Sequence, residues 1–509
     1  MAVDLQKKHL DKNFQENREI IKNILGVGKS YDVFCHDFSF AGKNAALYFV
    51  QGFVKDDILM FLLRHLVDVP REILKTNTLE KLLKEYLSYI QIETSDEIEH
   101  ITNRVLMGQV AILVEGENKA IVLDMREYAA RMPQEPDLEK VVRGSRDGFT
   151  ETLVFNTQLI RRRVRDPKLR FEVMQVGRRS QSDICIGYIE DIANPELVKT
   201  IKERIGALDI DGLPMAEKAV EELVVPGNLW NPYPKVRYTE RPDVAAMNLF
   251  EGFIILIVDT SPSIIILPTT IFQLMQHAEE YRQNTTVGVY IRWLRYLAVI
   301  SSVFLVPMWF LVAMEPTLLP KALKFIGPKT LGEIPLFVQF ILAELSIDLI
   351  RMAAIHTPSP MTASLGVIAA LMLGDVAIKM GLFVPEVILL MTAVAVAGFA
   401  TPSFELAMGN RLARFMLIFA VGFFKLWGLL AGSVILIIFL AFTKSFGIPY
   451  LYPLIPLNLK ELWAVIMRRP VATKNFRPTM LHVKDKVSQS QLSPSALKKL
   501  PKGDEWRKK

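Results

Sequence analysis

Residues 296–314 read YLAVISSVFLVPMWFLVAM, nineteen in a row without a charge. As a helix this run spans about 30 Å, the thickness of a hydrocarbon core. Arg292, Trp293, Arg295 and Tyr296 open it, a basic and aromatic cluster suited to a cytosolic interface. Further apolar stretches follow. Met361–Gly374 needs residues 375–380 to reach spanning length, and Val387–Phe404 is uncharged. GLFVP at 381–385 joins these two as a tight helical hairpin. Residues 415–442 are apolar except for Lys425 and long enough for one tilted span. The Pro- and Tyr-rich stretch 446–459 reads as interfacial. Residues 333–352 have a helical pattern but carry Glu344, Asp348 and Arg351; they span, re-enter or lie at the interface.

Upstream of residue 290 the chain is rich in Lys, Arg, Asp and Glu, so the 51% hydrophobic content overall hides a sharp split. The N-terminus has no apolar stretch of signal-peptide length. Cys35 and Cys185 are too few and too far apart for a disulfide framework, which fits a reducing compartment. Residues 460–509 hold 13 Lys/Arg against 4 Asp/Glu, a basic tail. With both ends cytosolic the number of crossings is even. Four crossings with a re-entrant 333–352 leave Arg411 and Arg414 outside. If 333–352 spans, those arginines move inside and 415–442 holds two short crossings or a hairpin. Both arrangements stay open.

The charged half repeats a pattern. GQVAILVEGENKAIVLD (108–124) and GFIILIVDTSPSIIILP (252–268) each run glycine, apolar strand, acidic turn, apolar strand. ALYFVQGFVKDDILMFLLRHL (46–66) and ICIGYIEDIANPELVKTIKERI (184–205) are each a strand followed by a helix. Helical stretches at 78–89 and 95–106, and at 213–224, complete the two units. The expected fold is an α/β soluble N-terminal region of two similar small subdomains, followed by an all-α polytopic transmembrane bundle. The expected parts are an N-terminal helical segment 1–30, subdomains 31–132 and 168–289, an Arg-rich linker 133–167, a transmembrane domain 290–460 of about four to six helices, and a cytosolic tail 461–509. The competing reading of the repeat is that two amphipathic hairpins merely look alike.

Chemistry-bearing motifs are few. Gly26-Val-Gly28-Lys29-Ser30 lacks the first glycine of a phosphate loop, since position 23 is Asn, and a charged helix rather than a strand precedes it; it reads as a Gly-rich helix end. The seven His and two Cys have no metal-ligand spacing, and no nucleophile elbow occurs. No catalytic residue, metal or cofactor is expected. Arg143, Arg146, Arg161, Arg162, Arg163 and Arg165 crowd 23 residues. They hold an anionic ligand or lipid headgroups, or pair with acidic neighbours at a subdomain joint. Glu344, Asp348 and Arg351 recur at i, i+4 and i+7 and share a helix face, with Glu333 about three turns earlier. Carboxylates at membrane depth face protein or water. In an oligomer around an axis they form a ring that favours cations; alternatively Arg351 neutralises them in a structural joint.

Several long blocks in one order, RGSRDGFTETLVFNTQLIRRR (143–163), EGFIILIVDTSPSIIILPT (251–269), IPLFVQFILAELSIDLIR (334–351) and ASLGVIAALMLGDVAIKMGLFVP (363–385), resemble the A-subunit family of bacterial spore germinant receptors, the GerA family. The resemblance implies a multi-pass protein of the spore inner membrane acting in germination. It implies a ring-shaped homo-oligomer conducting monovalent cations, with transporter-like B and lipoprotein C subunits as partners and no nucleic acid. The family's Pro-Phe-Pro ahead of the acidic helix corresponds to Ile334-Pro335-Leu336, a departure at two positions. A secondary transporter and a non-conducting scaffold are the rival readings. The first predicts paired membrane halves, and 290–460 contains no such repeat.

Overall fold

The computed structural model describes residues 8–70, 78–83, 92–126, 139–227, 230–318, 327–328, 332–356, 366, 376–468, 470 and 475–488. The expected run 361–375, apart from Gly366, lies outside the described residues. So do 84–89 of the expected helix 78–89, 133–138 of the linker and 489–509 of the basic tail. The chain forms two compact units. One comprises 1–226, 238–268 and 471–509, the other 227–237 and 269–470.

The first unit is built on two five-stranded sheets with one topology. Strands β1 (Val33–Phe40), β2 (Lys43–Val50), β3 (Ile92–Ser95), β4 (Val110–Val114) and β5 (Ala120–Leu123) lie in the order β1-β2-β4-β5-β3. Strands β6 (Leu169–Val176), β7 (Ser182–Ile189), β8 (Arg237–Thr239), β9 (Ile254–Val258) and β10 (Ile264–Leu267) lie in the order β6-β7-β9-β10-β8. Helices α1 (Phe14–Leu25), α2 (Asp56–Val67), α3 (Ile98–Leu106), α4 (Leu153–Arg161), α5 (Pro195–Gly206), α6 (Ala216–Val224) and α7 (Pro242–Glu251) accompany them. Each half therefore runs hairpin, helix (α2 or α5), edge strand, helix (α3 or α7), hairpin. Repeated architecture is what the sequence comparison of the two halves predicts.

The central strands explain that legibility. VAILV (β4) is buried at every position because both faces are covered. Ala111 and Leu113 join α1 and α3 on one face, while Val110, Ile112 and Val114 join α2 on the other, the two-residue alternation of a pleated strand. Helix α1 ends at Gly26, whose φ of 71° is the left-handed conformation that glycine adopts without strain and whose N–H caps Lys22 O. The glycine motif at 26–30 is thus a helix terminus.

The second unit is helical: α8 (Thr285–Met314), α9 (Leu336–His356), α10 (Pro385–Phe399), α11 (Phe404–Phe442) and the short α12 (Leu459–Ile466). Helices α8 and α11 are long and apolar enough to cross a membrane; α10 is a shorter apolar helix. Of the two readings of 415–442, one tilted span or a hairpin, the backbone shows the second. Lys425, at φ 51° and ψ −128°, breaks α11 into arms 404–424 and 426–442. A Cβ added to Gly428 would stand 1.9 Å from Ala420 O, and one on Gly432 would stand 2.8 Å from Leu417 Cδ2. In a straight helix residues 420 and 428 are about 12 Å apart, and 417 and 432 about 22 Å. The arms are therefore folded back on each other with Lys425 at the tip.

Named contacts fix the helix directions. Lys425 Nζ lies 3.1 Å from Glu315 Oε1, so the tip of α11 sits at the C-terminal end of α8. Val384 N donates to Gln339 Oε1 at 2.8 Å, placing the start of α10 beside the start of α9. Phe340 stacks edge-on against Phe310 (5.5 Å), and Phe337 against Phe419 (5.2 Å). Helix α9 thus runs antiparallel to α8 and to the first arm of α11, whereas α8 and that arm run parallel, as do α9 and α10.

Candidate functional site: a charged network inside the helical unit

Helix α9 starts at Leu336, not at residue 333, because Pro335 disfavours helical backbone in the residue before it. Glu333 therefore stands ahead of the helix, exposed, rather than three turns along its face. Within α9, Glu344 is fully buried, whereas the Asp348 side chain is 31% exposed. The network around them comes from α11. Arg411 Nε lies 3.2 Å from Glu344 Oε1, and Arg414 Nε lies 3.3 Å from Glu344 Oε2. Arg414 Nη2 also pairs with Glu344 and Arg411 Nη1 with Asp348. Arg414 Nη1 donates to Ser302 O on α8, and Asn410 Nδ2 donates to Ser302 Oγ at 3.2 Å. Two carboxylates, two guanidinium groups and a polar clip from α8 thus tie three helices together.

Arg351, the basic residue expected to neutralise the acids, does something else. Its guanidinium lies 5.3 Å from the Phe399 ring centre and 6.0 Å from that of Phe404, and Nη1 lies 3.3 Å from Met408 Sδ, a cation–π setting. Arg411 and Arg414 carry the neutralisation instead. One signal for them was in the sequence: two arginines in an apolar helix need counter-charges, and the carboxylates at 344 and 348 stand ready inside another. Towards the Glu315–Lys425 end, Trp309, Phe310, Phe337 and Phe340 pack ring against ring.

The arginine block of the first unit divides. Arg161 is 1% exposed and grips Asp32 through Nε (2.8 Å) and Nη2 (3.0 Å); Nη2 also donates to Leu169 O at 3.2 Å, and the guanidinium packs 5.2 Å from the Phe171 ring centre. It joins the start of the first sheet to that of the second. Ser30, the last residue of the glycine motif, accepts from Phe171 N at 3.0 Å in the same joint. Arg163 donates to Ser145 Oγ at 2.9 Å and pairs with Asp147. Burial pushes the Asp147 carboxyl upward, but hydrogen bonds from Ser145 and Arg163 outweigh it and hold the group below the ordinary carboxylate range. Arg143, Arg146 and Arg162 are exposed. The block therefore contains a subdomain joint, with these three and the likewise exposed Arg165 on the surface around it.

The family described as Bacillus/Clostridium GerA spore germination protein matches residues 19–480. Stage V sporulation protein AF of Bacillus subtilis (strain 168) is 45% identical over 95% of this chain and 98% of its own length. Spore germination protein GerLA of Bacillus cereus is 30% identical over 92% of this chain and 96% of its own. Among solved structures, the N-terminal domain of the A subunit of the Bacillus megaterium spore germinant receptor GerK3 matches at 26% identity and a TM-score of 0.40, covering 51% of this chain and 97% of that one.

Proposed function

The chain belongs to the GerA family of spore germination proteins, and from that membership we propose that it acts in germination as a multi-pass subunit of the spore inner membrane. Its helical unit crosses six times: α8 outward, α9 inward, the sequence run 361–380 outward, α10 inward, and the two arms of α11 outward and back. The helix directions fixed by these contacts and the folded α11 support this count. It keeps both ends cytosolic and brings Arg411 and Arg414 towards the inner side, in line with the bias of basic residues.

Within that arrangement we read the charged network as part of a cation path shared by several copies. Glu344 is the internal counter-ion of Arg411 and Arg414. Asp348, paired with Arg411 but partly open to the outside, is the carboxylate that faces a common axis, and Glu333 is a second at the outer end. The carrying observation is this partly exposed carboxylate deep among apolar helices, where charge is tolerated only against protein or water. Partners are further copies in a ring and, by analogy with germinant receptors, a transporter-like and a lipoprotein subunit. The pairing of Glu344 with two arginines favours a second reading, a non-conducting scaffold.

Reconstitution of the full chain in liposomes separates the two. A ring-sized mass and K⁺ flux are expected, with Asp348→Asn lowering flux at least several-fold at unchanged yield. Glu344→Gln lowers yield instead, since removing one partner of a buried pair costs about 3–5 kcal/mol. Correctly inserted wild-type protein without flux would leave the scaffold reading standing.

A further inference from the structure

Residues 230–237 precede every apolar run of membrane-spanning length and read as part of a soluble subdomain, yet they belong to the helical unit. Asn231 Nδ2 donates to Thr443 Oγ1 at 3.0 Å, just where the second arm of α11 ends. The Tyr233 ring lies 6.5 Å from that of Phe439 and 6.3 Å from that of Tyr450. A Cβ on Gly409 would meet Pro232 O at 3.0 Å, so the segment also touches the start of the first arm. These contacts fix its level at the point where apolar helix gives way to polar chain.

A second pair of contacts marks the same level independently. Arg292 Nη1 and Tyr296 OH donate to Val465 O at 2.7 Å and 3.1 Å, at the boundary between charged and apolar sequence in α8. Helix α12 is thereby pinned at that boundary. The Lys425–Glu315 pair joins the opposite ends of α8 and α11, so both levels belong to one membrane face.

The side chains projecting at this level are large and apolar. Trp230 is 91% exposed, Trp463 57%, Leu457 62% and Leu459 70%, and Lys444 and Lys460 beside them are exposed. Exposing such area to water costs about 25 cal/mol per Å². An indole has an apolar body and a polar N–H, which suits the headgroup layer, and adjacent lysines suit anionic lipid. Ile438 and Phe442, at the end of α11 that Asn231 reaches, are exposed as well. Resting on the six-crossing reading above, we infer that Trp230 and its segment, together with residues 454–463, form an interfacial anchor seated in the headgroup layer of the inner leaflet. A stretch drawn from the α/β half of the sequence thus fixes the height of the bundle in the bilayer.

The test uses the full chain with Cys35→Ser and Cys185→Ala in nanodiscs of zwitterionic and anionic lipid. Spin labels are placed through Trp230→Cys, Trp463→Cys, Ile435→Cys and Met215→Cys, and depth is read from accessibility to oxygen against a water-soluble nickel chelate. Position 435 is expected deep, 215 aqueous, and 230 and 463 at headgroup depth. If 230 is as aqueous as 215 while 435 is deep, the anchor is wrong and the six-crossing reading survives. If 435 is also aqueous, the membrane reading fails and takes the anchor with it. A label at 230 shielded from both reagents means that protein covers the patch, which also overturns the anchor. Should the cysteine background fold poorly, native tryptophan fluorescence serves: lipid brominated near the headgroup must quench wild type more than Trp230→Phe, and equal quenching refutes the inference.

Discussion

At the scale of single residues, the molecule relies on buried arginines that each satisfy several acceptors. Arg161 is the clearest case, with Asp32, Asp166 O and Leu169 O as partners. Arg161→Ala leaves Asp32 buried without its cation and should destabilise the first unit by about 3–5 kcal/mol, measured as the loss of protection from amide exchange in β1 and β6. Arg161→Lys restores only part of this, because a lysine cannot reproduce the two-pronged grip. Acid acts on the same unit with a definite sign. Arg18 hydrogen bonds hold Asp37 below the ordinary range, Arg126 and Gln109 do so for Asp124, and Ser145 with Arg163 outweigh burial at Asp147. A carboxylate lowered in the folded state contributes stability above its unfolded value of about 3.9, and that stability is lost as pH falls through the folded value. Amide protection in the first unit should therefore be level between pH 7 and 5 and decline below about pH 4. At this scale the sequence revealed the acids of α9 through their spacing. Their partners, some sixty residues later, surfaced only as a conflict over which side of the membrane Arg411 and Arg414 occupy.

At the scale of elements, legibility followed burial on two faces. Strands β4, β5, β9 and β10 are continuous apolar runs and were plain. Strand β1, VFCHDFSF, is an edge strand with mixed exposure and carries no continuous apolar run. Helix α11 is the instructive case, since the sequence left one tilted span and a hairpin both open. Its length and hydropathy fit one tilted crossing, and only the solitary Lys425 and the glycines at 422, 428 and 432 hinted at a reversal. Those glycines make the reversal possible, because a side chain at 428 would occupy the space of the Ala420 carbonyl. Gly428→Ala should thus destabilise the detergent-solubilised protein by about 1–3 kcal/mol in thermal unfolding. Gly398→Ala, in a helix where an added Cβ meets nothing within 4 Å, should be neutral or slightly stabilising. Equal effects at both positions would mean that the arms are not in contact.

At the scale of the whole molecule, the sequence separated a charged α/β half from an apolar helical half, and the two sheets of identical order bear out the repeat. What a linear reading could not find is that the chain leaves and re-enters its units. Residues 227–237 join the helical unit, and 475–488 return to the α/β unit, where Lys484 N donates to Ile192 O at 3.0 Å and Val483 packs against Gly252. Composition carries no trace of such excursions, since they depend on contacts between distant segments. The proposed function depends on one feature at this scale, the threading of the helical unit with the tip of α11 outside. Labelling of Lys425→Cys and Lys444→Cys by a membrane-impermeant maleimide, in right-side-out vesicles carrying Cys35→Ser and Cys185→Ala, measures it directly. The account predicts that 425 reacts in intact vesicles and 444 only after permeabilisation; reaction of 444 from outside, or of 425 only once the membrane is opened, would contradict it.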